Sequence, residues 1–244
     1  MPTQLLFYKE AVPVSKDQHA AFSIDTTQDY SFASGVNSVP LTATEFPFAA
    51  RDYVIVFAGQ GTPMPAAILG AQQNRNLFVS DDGRWEGRYI PAFVRRYPFV
   101  FSSNDEKSTF TLCIDKEFKG LNEDGRGEKL FDEEGEKTAY LDKMLDFLQE
   151  YQVQFQRTQV FCEKLKEFDL LESMQAHLSM PTGSQQSLTG FQVISRDRLK
   201  ALEGDKLAEL AKSDALELAY LHLQSLNNFS VMVERAGTGS SGSN

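Results

Sequence analysis

The residues able to carry chemistry are few and scattered along this chain of 244 residues. The three histidines are His19, His177 and His222. None sits at the short spacing that metal chelation by two imidazoles needs, so no metal site is predicted. Nucleophilic catalysis needs a base beside its nucleophile. Ser195 follows an apolar strand-like run and precedes Asp197 and Arg198, but FQVISRDRL has no glycines for a sharp elbow. A helix-capping serine is the expected role. Gly59-Gln60-Gly61 lacks a third glycine and a Walker lysine, so it predicts a turn rather than a nucleotide site. Asp81, Asp82 and Glu86 flank Trp85, which suggests an acid/base pair beside a sugar platform. Asp-Asp-Gly is also what a tight turn requires, and the turn is the expectation. The acidic stretch Leu121–Gly135 departs from the EF-hand pattern and predicts a solvated loop. No complete catalytic constellation emerges, and cofactors stay unassigned.

One segment stands out. Asn74–Phe101 holds the only Trp together with interleaved aromatics, arginines and the fixed-geometry residues Gly83, Pro91 and Pro98. Adjacent Arg95 and Arg96 point to opposite faces of a strand, or lie about 100° apart on a helix, so one faces inward. An inward guanidinium beside Trp85, Tyr89 and Tyr97 could clamp a carboxylate or stack on rings. The competing role is an ion pair with an acid such as Glu45 or Asp52. Trp85, Tyr89, Arg95, Arg96 and Tyr97 are therefore the candidate ligand- or partner-binding residues.

The elements that would position them divide along the chain. Tyr53–Phe57 is β-branched and aromatic throughout and predicts a strand. Ala66–Leu69 follows across a Gly/Pro turn, as in a hairpin, and Asn76–Val79 continues the pattern. Pro91 can open a short helix, because proline fits a first turn. Phe110–Asp115 alternates like a strand. Lys137–Phe168 carries apolar residues at helical spacing, with Asp169–His177 extending it or forming a second short helix. Leu188–Ile194 predicts a strand able to join the first-half sheet. Helices are expected at Arg196–Leu202, Asp205–Ala211 and Asp214–Val233. Strands first and helices later predict an α+β fold, with a β-rich N-terminal half and a helical C-terminal half contributing one late strand. The expectation is one composite domain over residues 1–236, β-rich over 1–118 and helical over 137–236. A flexible Gly/Ser tail follows over 237–244.

Composition narrows the partners. Hydrophobic residues make up 41% and the net charge is −10, so a core is available and sequence-independent nucleic-acid binding is excluded. Cys113 and Cys162 lie in apolar runs and read as buried thiols, with pairing between them left open. No run is long and apolar enough for an integral membrane segment, and the N-terminus lacks a secretory signal pattern. A cytoplasmic location is expected, with export that needs no cleaved N-terminal signal left open.

Four motif runs carry a family resemblance. They are E-F-P-x-A-x-x-D-Y-x-I-x-F (Glu45 to Phe57), N-x-F…W-x-x-x-Y-I-P-A-F-V-R-R-Y-P-F (Asn76 to Phe99), L-x-G-F-Q-V (Leu188 to Val193) and A-Y-x-H-L-x-S-L-x-N (Ala219 to Asn228). In this order they resemble the SapC family of bacterial proteins, over roughly residues 3 to 234. Phe191 stands where the family pattern has Trp. The resemblance implies a link to a bacterial surface layer. It also implies company with outer-membrane receptor, halogenase-like and cupin-like oxygenase genes. It brings no catalytic residues. The function expected from residues and resemblance together is a non-catalytic binding or accessory role. The aromatic/Arg segment would recognise a protein partner or small anionic ligand. The alternatives are an enzyme or an oxygenase- or halogenase-associated factor, using His177 or His222, and a surface-layer-associated structural component.

Overall fold

The computed structural model describes residues 5–25, 27, 29–59, 61–103, 110–180 and 183–238. Its strands are β1 (Ala11–Pro13), β2 (Ser23–Ile24), β3 (Ser38–Pro40), β4 (Val54–Ala58), β5 (Met64–Ile68), β6 (Phe99–Ser103), β7 (Phe110–Asp115), β8 (Leu121–Asn122), β9 (Glu128–Lys129), β10 (Leu171–Ser179) and β11 (Gln185–Ile194). Its helices are α1 (Lys16–His19), α2 (Phe46–Ala49), α3 (Ala92–Arg95), α4 (Ala139–Glu167), α5 (Arg196–Lys200), α6 (Gly204–Lys212), α7 (Ala215–Ser225) and α8 (Asn228–Thr238). Strands fall mainly in the first half and helices in the second, which is an α+β fold. The chain forms two compact units, each from two separated segments. The first is Met1–Asp29 with Val94–Gln152, and the second is Tyr30–Phe93 with Val153–Asn244.

The first unit holds two three-stranded sheets, ordered β1-β7-β6 and β8-β2-β9. Ile24, Phe99, Ile114, Leu130, Leu141 and Leu148 make its core.

The second unit is built on one sheet ordered β10-β11-β4-β5-β3. The central strand β4 is apolar at every position because both of its faces are covered. Val54 and Val56 pack with Phe191, Val193 and Met232. On the other face Phe57 meets Phe161 and His222. β11 joins β4 antiparallel, with Phe191 opposite Ala58 and Gln192 opposite Phe57. The late strand does join the β4 sheet as the sequence predicts.

The second half contributes two late strands, not one, because Leu171–Ser179 is extended rather than helical. Asp169 stops α4 by adopting the left-handed conformation, φ 51°. Leu170 N then donates to Leu165 O and Asp169 N to Lys166 O, which is the hydrogen-bond pair of a Schellman stop. Beyond it Ala176 and Leu178 turn inward and their neighbours outward, the period of a strand. The β10–β11 register shifts between Met174 and Ala176. There Thr189 and Gly190 oppose Gln175, and Gly190 takes φ +82° to make the bulge. Two further expectations are corrected. Asn76–Val79 forms only an isolated bridge, Val79 to Trp85. The predicted helix Asp214–Val233 is two helices, α7 and α8.

Candidate functional site

In the second unit the E-F-P-x-A-x-x-D-Y segment grips the loop that carries Trp85 and Tyr89. Thr42 and Glu45 form a capping box ahead of α2, the T-x-x-E signature. Glu45 is 4% exposed and its carboxylate is fully used. Oε2 accepts from Thr42 N at 2.7 Å and Thr42 Oγ1 at 2.9 Å. Oε1 accepts from Tyr89 OH at 2.9 Å and Ala92 N at 2.7 Å. Four donors satisfy the buried carboxylate. Asp52 Oδ2 accepts from Arg88 N at 2.6 Å and Tyr89 N at 3.2 Å. The Arg88 side chain, 82% exposed, stands near Asp52, with Nε 3.9 Å from Oδ1. At Glu45 the donors are backbone and hydroxyl groups, and at Asp52 two backbone amides are joined by the Arg88 guanidinium.

Tyr53 and Trp85 complete the grip. Tyr53 OH donates to Tyr89 O. Trp85 Nε1 donates to Tyr53 OH at 2.9 Å and to Tyr89 O at 3.2 Å. Burial pushes the Tyr53 hydroxyl well above the usual phenol range, so it stays a donor. Gly87 is required by close approach, because a Cβ there would lie 2.3 Å from Tyr53 OH and 2.8 Å from Trp85 Nε1. The Trp85 ring stacks on Phe78 and meets Tyr30 edge-on. Arg235 lies 4.5 Å over the Phe78 ring and reaches Glu86. Outside this network Phe48, 52% exposed, stacks on Tyr89 at 5.5 Å between ring centres. Arg51 and Arg88 are exposed, and Arg51 N donates to Phe48 O at 3.3 Å.

Arg95, Arg96 and Tyr97 belong to the first unit. One arginine faces inward, and it is Arg96. It is 6% exposed, with its guanidinium 5.9 Å from the Tyr8 ring and 5.3 Å from the Tyr151 ring. Arg95 is exposed and lies 5.2 Å over Phe147. Tyr97 OH donates to Asp115 Oδ2 at 3.1 Å. Fully buried Asp115 also accepts from Lys9 N, Glu10 N and Glu117 N. Burial, then the Asp115 charge, pushes the Tyr97 hydroxyl above its usual range. Tyr8 OH donates to Phe99 O at 2.6 Å. Each polar side chain here meets a group of the chain itself. The five predicted residues therefore fall into two settings, Trp85 with Tyr89 in one unit and Arg95 to Tyr97 in the other.

The remaining chemical candidates separate. His19 is buried against Ser15 and Phe22. His177 lies exposed on β10, not on a helix, 3.0 Å from Ser187 Oγ. His222 is fully buried on α7, its ring 5.1 Å from that of Phe57, and neither ring nitrogen has a hydrogen-bond partner among the described residues. Burial lowers its pKa to about 3. Among the described residues no group of three or more His, Cys, Asp or Glu is placed to hold a metal ion. Cys113 and Cys162 are buried free thiols, the latter pushed by burial up to about 12. Ser195 occupies the N-cap of α5, where its carbonyl, not its hydroxyl, starts the helix. Asp82 closes the predicted turn with Ser80 Oγ and Arg84 Nε, which hold its carboxyl below the usual range. No helix among the described residues is long and apolar enough to cross a membrane.

Two residues of the last motif, assigned no role from sequence, tie the motifs together. Ser225 Oγ accepts from Ile55 N at 3.1 Å, where β4 has no β11 partner, and donates to His222 O at 2.6 Å. Asn228 Nδ2 donates to Ala50 O and Tyr53 O at 2.9 and 2.8 Å. Where β11 leaves β4, Phe57–Gly59, Ser173–Gln175 and Gly190–Gln192 line an open recess of about 350 Å³. Its side chains are uncharged. The A-Y-x-H-L-x-S-L-x-N motif contains both Ser225 and Asn228, but their partners Ile55 and Tyr53 lie 170 and 175 residues away, so no local signal assigns their roles.

The comparisons agree with the motif arrangement. A family model described as SapC matches residues 14–232 of the 244. No curated protein and no solved structure matches the chain. The matched region contains every motif segment from Glu45 to Asn228. The chain belongs to the SapC family.

Proposed function

We propose that the protein is a non-catalytic binding or accessory module that docks a partner protein through the surface of the Trp85–Tyr89 loop. The observation carrying this reading is Phe48, a large aromatic side chain held 52% exposed and stacked on Tyr89. The loop beneath is fixed by Glu45, Asp52 and Tyr53, so the aromatic pair is presented with little ordering cost on binding. Exposed Arg51 and Arg88 lie three residues after Phe48 and one before Tyr89 in the chain. An exposed aromatic anchor with exposed arginines close by in the chain suits an acidic segment of another protein. That complementarity is local, since the chain as a whole carries −10.

Photo-crosslinking in the native host tests the proposal. A benzoyl-phenylalanine at position 48 is expected to give one discrete adduct that Arg88→Glu abolishes. The same probe at Val160, 63% exposed in the same unit, is expected to give none. Equal labelling from both positions, or an adduct indifferent to Arg88→Glu, refutes the reading.

A further inference from the structure

The L-x-G-F-Q-V run supplies Gly190 and Gln192 to the recess that β10, β11 and β4 line. β11 pairs with β4 only through Phe191 with Ala58 and Gln192 with Phe57. Ser173 of β10 lies opposite Gln192 on the other side, so Ser173, Gln192 and Phe57 form one row across three strands. One step past the last pair, the same register brings Gly190 beside Gly59. Neither carries a side chain, and a Cβ built on either would meet no described atom within 4 Å. Two glycines on adjacent strands thus leave open space in the sheet surface, and Gln175, opposite Gly190 at the bulge, borders it. The resulting volume, about 350 Å³, is within the size range of ligand clefts.

We propose that this recess binds a small uncharged ligand through a carboxamide group, held by Gln192, Gln175 and Ser173. The site shares no residue with the Phe48 surface. Among the described residues these three side chains make no hydrogen bond to the protein, unlike the polar groups that hold the Trp85–Tyr89 loop. A glutamine amide sets one donor beside one acceptor, and a ligand carboxamide offers the complementary pair, so two parallel hydrogen bonds form. The serine hydroxyl donates or accepts as the remaining ligand group requires. No charged side chain lines the recess, so an ionic ligand would lose water without gaining a counter-charge. Its two aromatic residues, Phe57 and Phe191, are 0% and 7% exposed, so a sugar ring or nucleobase finds no open ring face to stack on. The paired strands hold the space open before anything binds, which limits the ordering cost.

Amide NMR spectra of the full chain, titrated with N-acetylglycinamide, test the proposal. The cross-peaks of Gly59, Gly190 and Gln192 are expected to shift saturably. N-acetylglycine, with a carboxylate in place of the terminal carboxamide, is expected to bind about tenfold more weakly. Gln192→Leu keeps the volume and removes the amide, and is expected to weaken N-acetylglycinamide binding about tenfold. Ser173→Phe places a ring in the recess and is expected to abolish binding. Neither substitution removes a hydrogen bond of the described protein, so both variants keep the fold, as circular dichroism would verify. No saturable shift, an equal response to N-acetylglycine, or binding indifferent to either substitution overturns the proposal. So does methyl glucoside moving the same cross-peaks at lower concentration, which would assign the recess to a neutral polyol.

Discussion

Replacing His222 by Leu should make the protein more stable, and more so in acid. The imidazole is 0% exposed, and both ring nitrogens lack partners. A buried polar group without a hydrogen bond costs about 1–3 kcal/mol in proteins, and Leu fills similar volume without that cost. At about pH 7.5 the substitution should therefore add about 1 kcal/mol of stability. The pH dependence follows from linkage. Burial lowers the folded-state pKa from 6.5 to about 3. The folded chain keeps this ring neutral while the unfolded chain protonates it below 6.5. Stability is thus fully present above 6.5 and is lost as pH falls toward 3. At about pH 5 the loss from this one group is RT ln(1 + 10^1.5), or about 2 kcal/mol. Urea unfolding followed through Trp85, which lies in the same unit, reads the effect directly. The stability difference between about pH 7.5 and about pH 5 should shrink by about 2 kcal/mol in His222→Leu, with other titrating groups cancelling between the two proteins. An unchanged difference, or a variant less stable than the native chain at neutral pH, would show that the imidazole has a partner and refute the reasoning.

Two further substitutions probe the predicted residues. Glu45→Gln puts an amide NH₂ where two donors already point, and it should destabilise the second unit by about 2–3 kcal/mol in urea titration, with a shift in Trp85 emission. Arg96→Ala should cost about 2–4 kcal/mol by removing a buried guanidinium between Tyr8 and Tyr151, whereas Arg95→Ala should cost under about 0.5 kcal/mol. Thermal unfolding distinguishes them, and the reverse order would contradict the assigned facing of the pair.

Legibility tracked the range of the deciding interaction. β4 and β7 and the long helix α4 came within a residue or two of their predicted spans, because each has one dominant period over its whole length. β10 escaped because Leu, Glu, Met, Gln and Ala are good helix formers directly after a helix. What overrides them is a left-handed Asp169 and pairing with β11, and neither is visible in local pattern. The α7–α8 break escaped for a similar reason. Leu226 and Phe229 continue the apolar run, while the Asn228 side chain is bound to carbonyls of Ala50 and Tyr53. At the candidate site local pattern reveals the parity of Arg95 and Arg96 but not which one turns inward. Nor could it assign the partners of Trp85 and Tyr89, which come from Glu45, Asp52 and Tyr53 over 30 residues upstream.

The polar atoms of the motif residues bear on where a partner could act. Glu45, Asp52, Tyr53, Trp85, Tyr89, Ser225 and Asn228 make hydrogen bonds within the second unit. Groups used in this way gain little from a ligand, since binding would exchange one satisfied bond for another. Their combined effect is to hold a loop that has no regular secondary structure from Arg84 to Pro91. An irregular segment held by buried acids is costly to build if its only task is to connect two elements. The cost is repaid when the loop must present something in one geometry. Beside this loop the exposed aromatic is Phe48, stacked on Tyr89. A partner that contacts those side chains would read the loop's shape without breaking any bond that creates it.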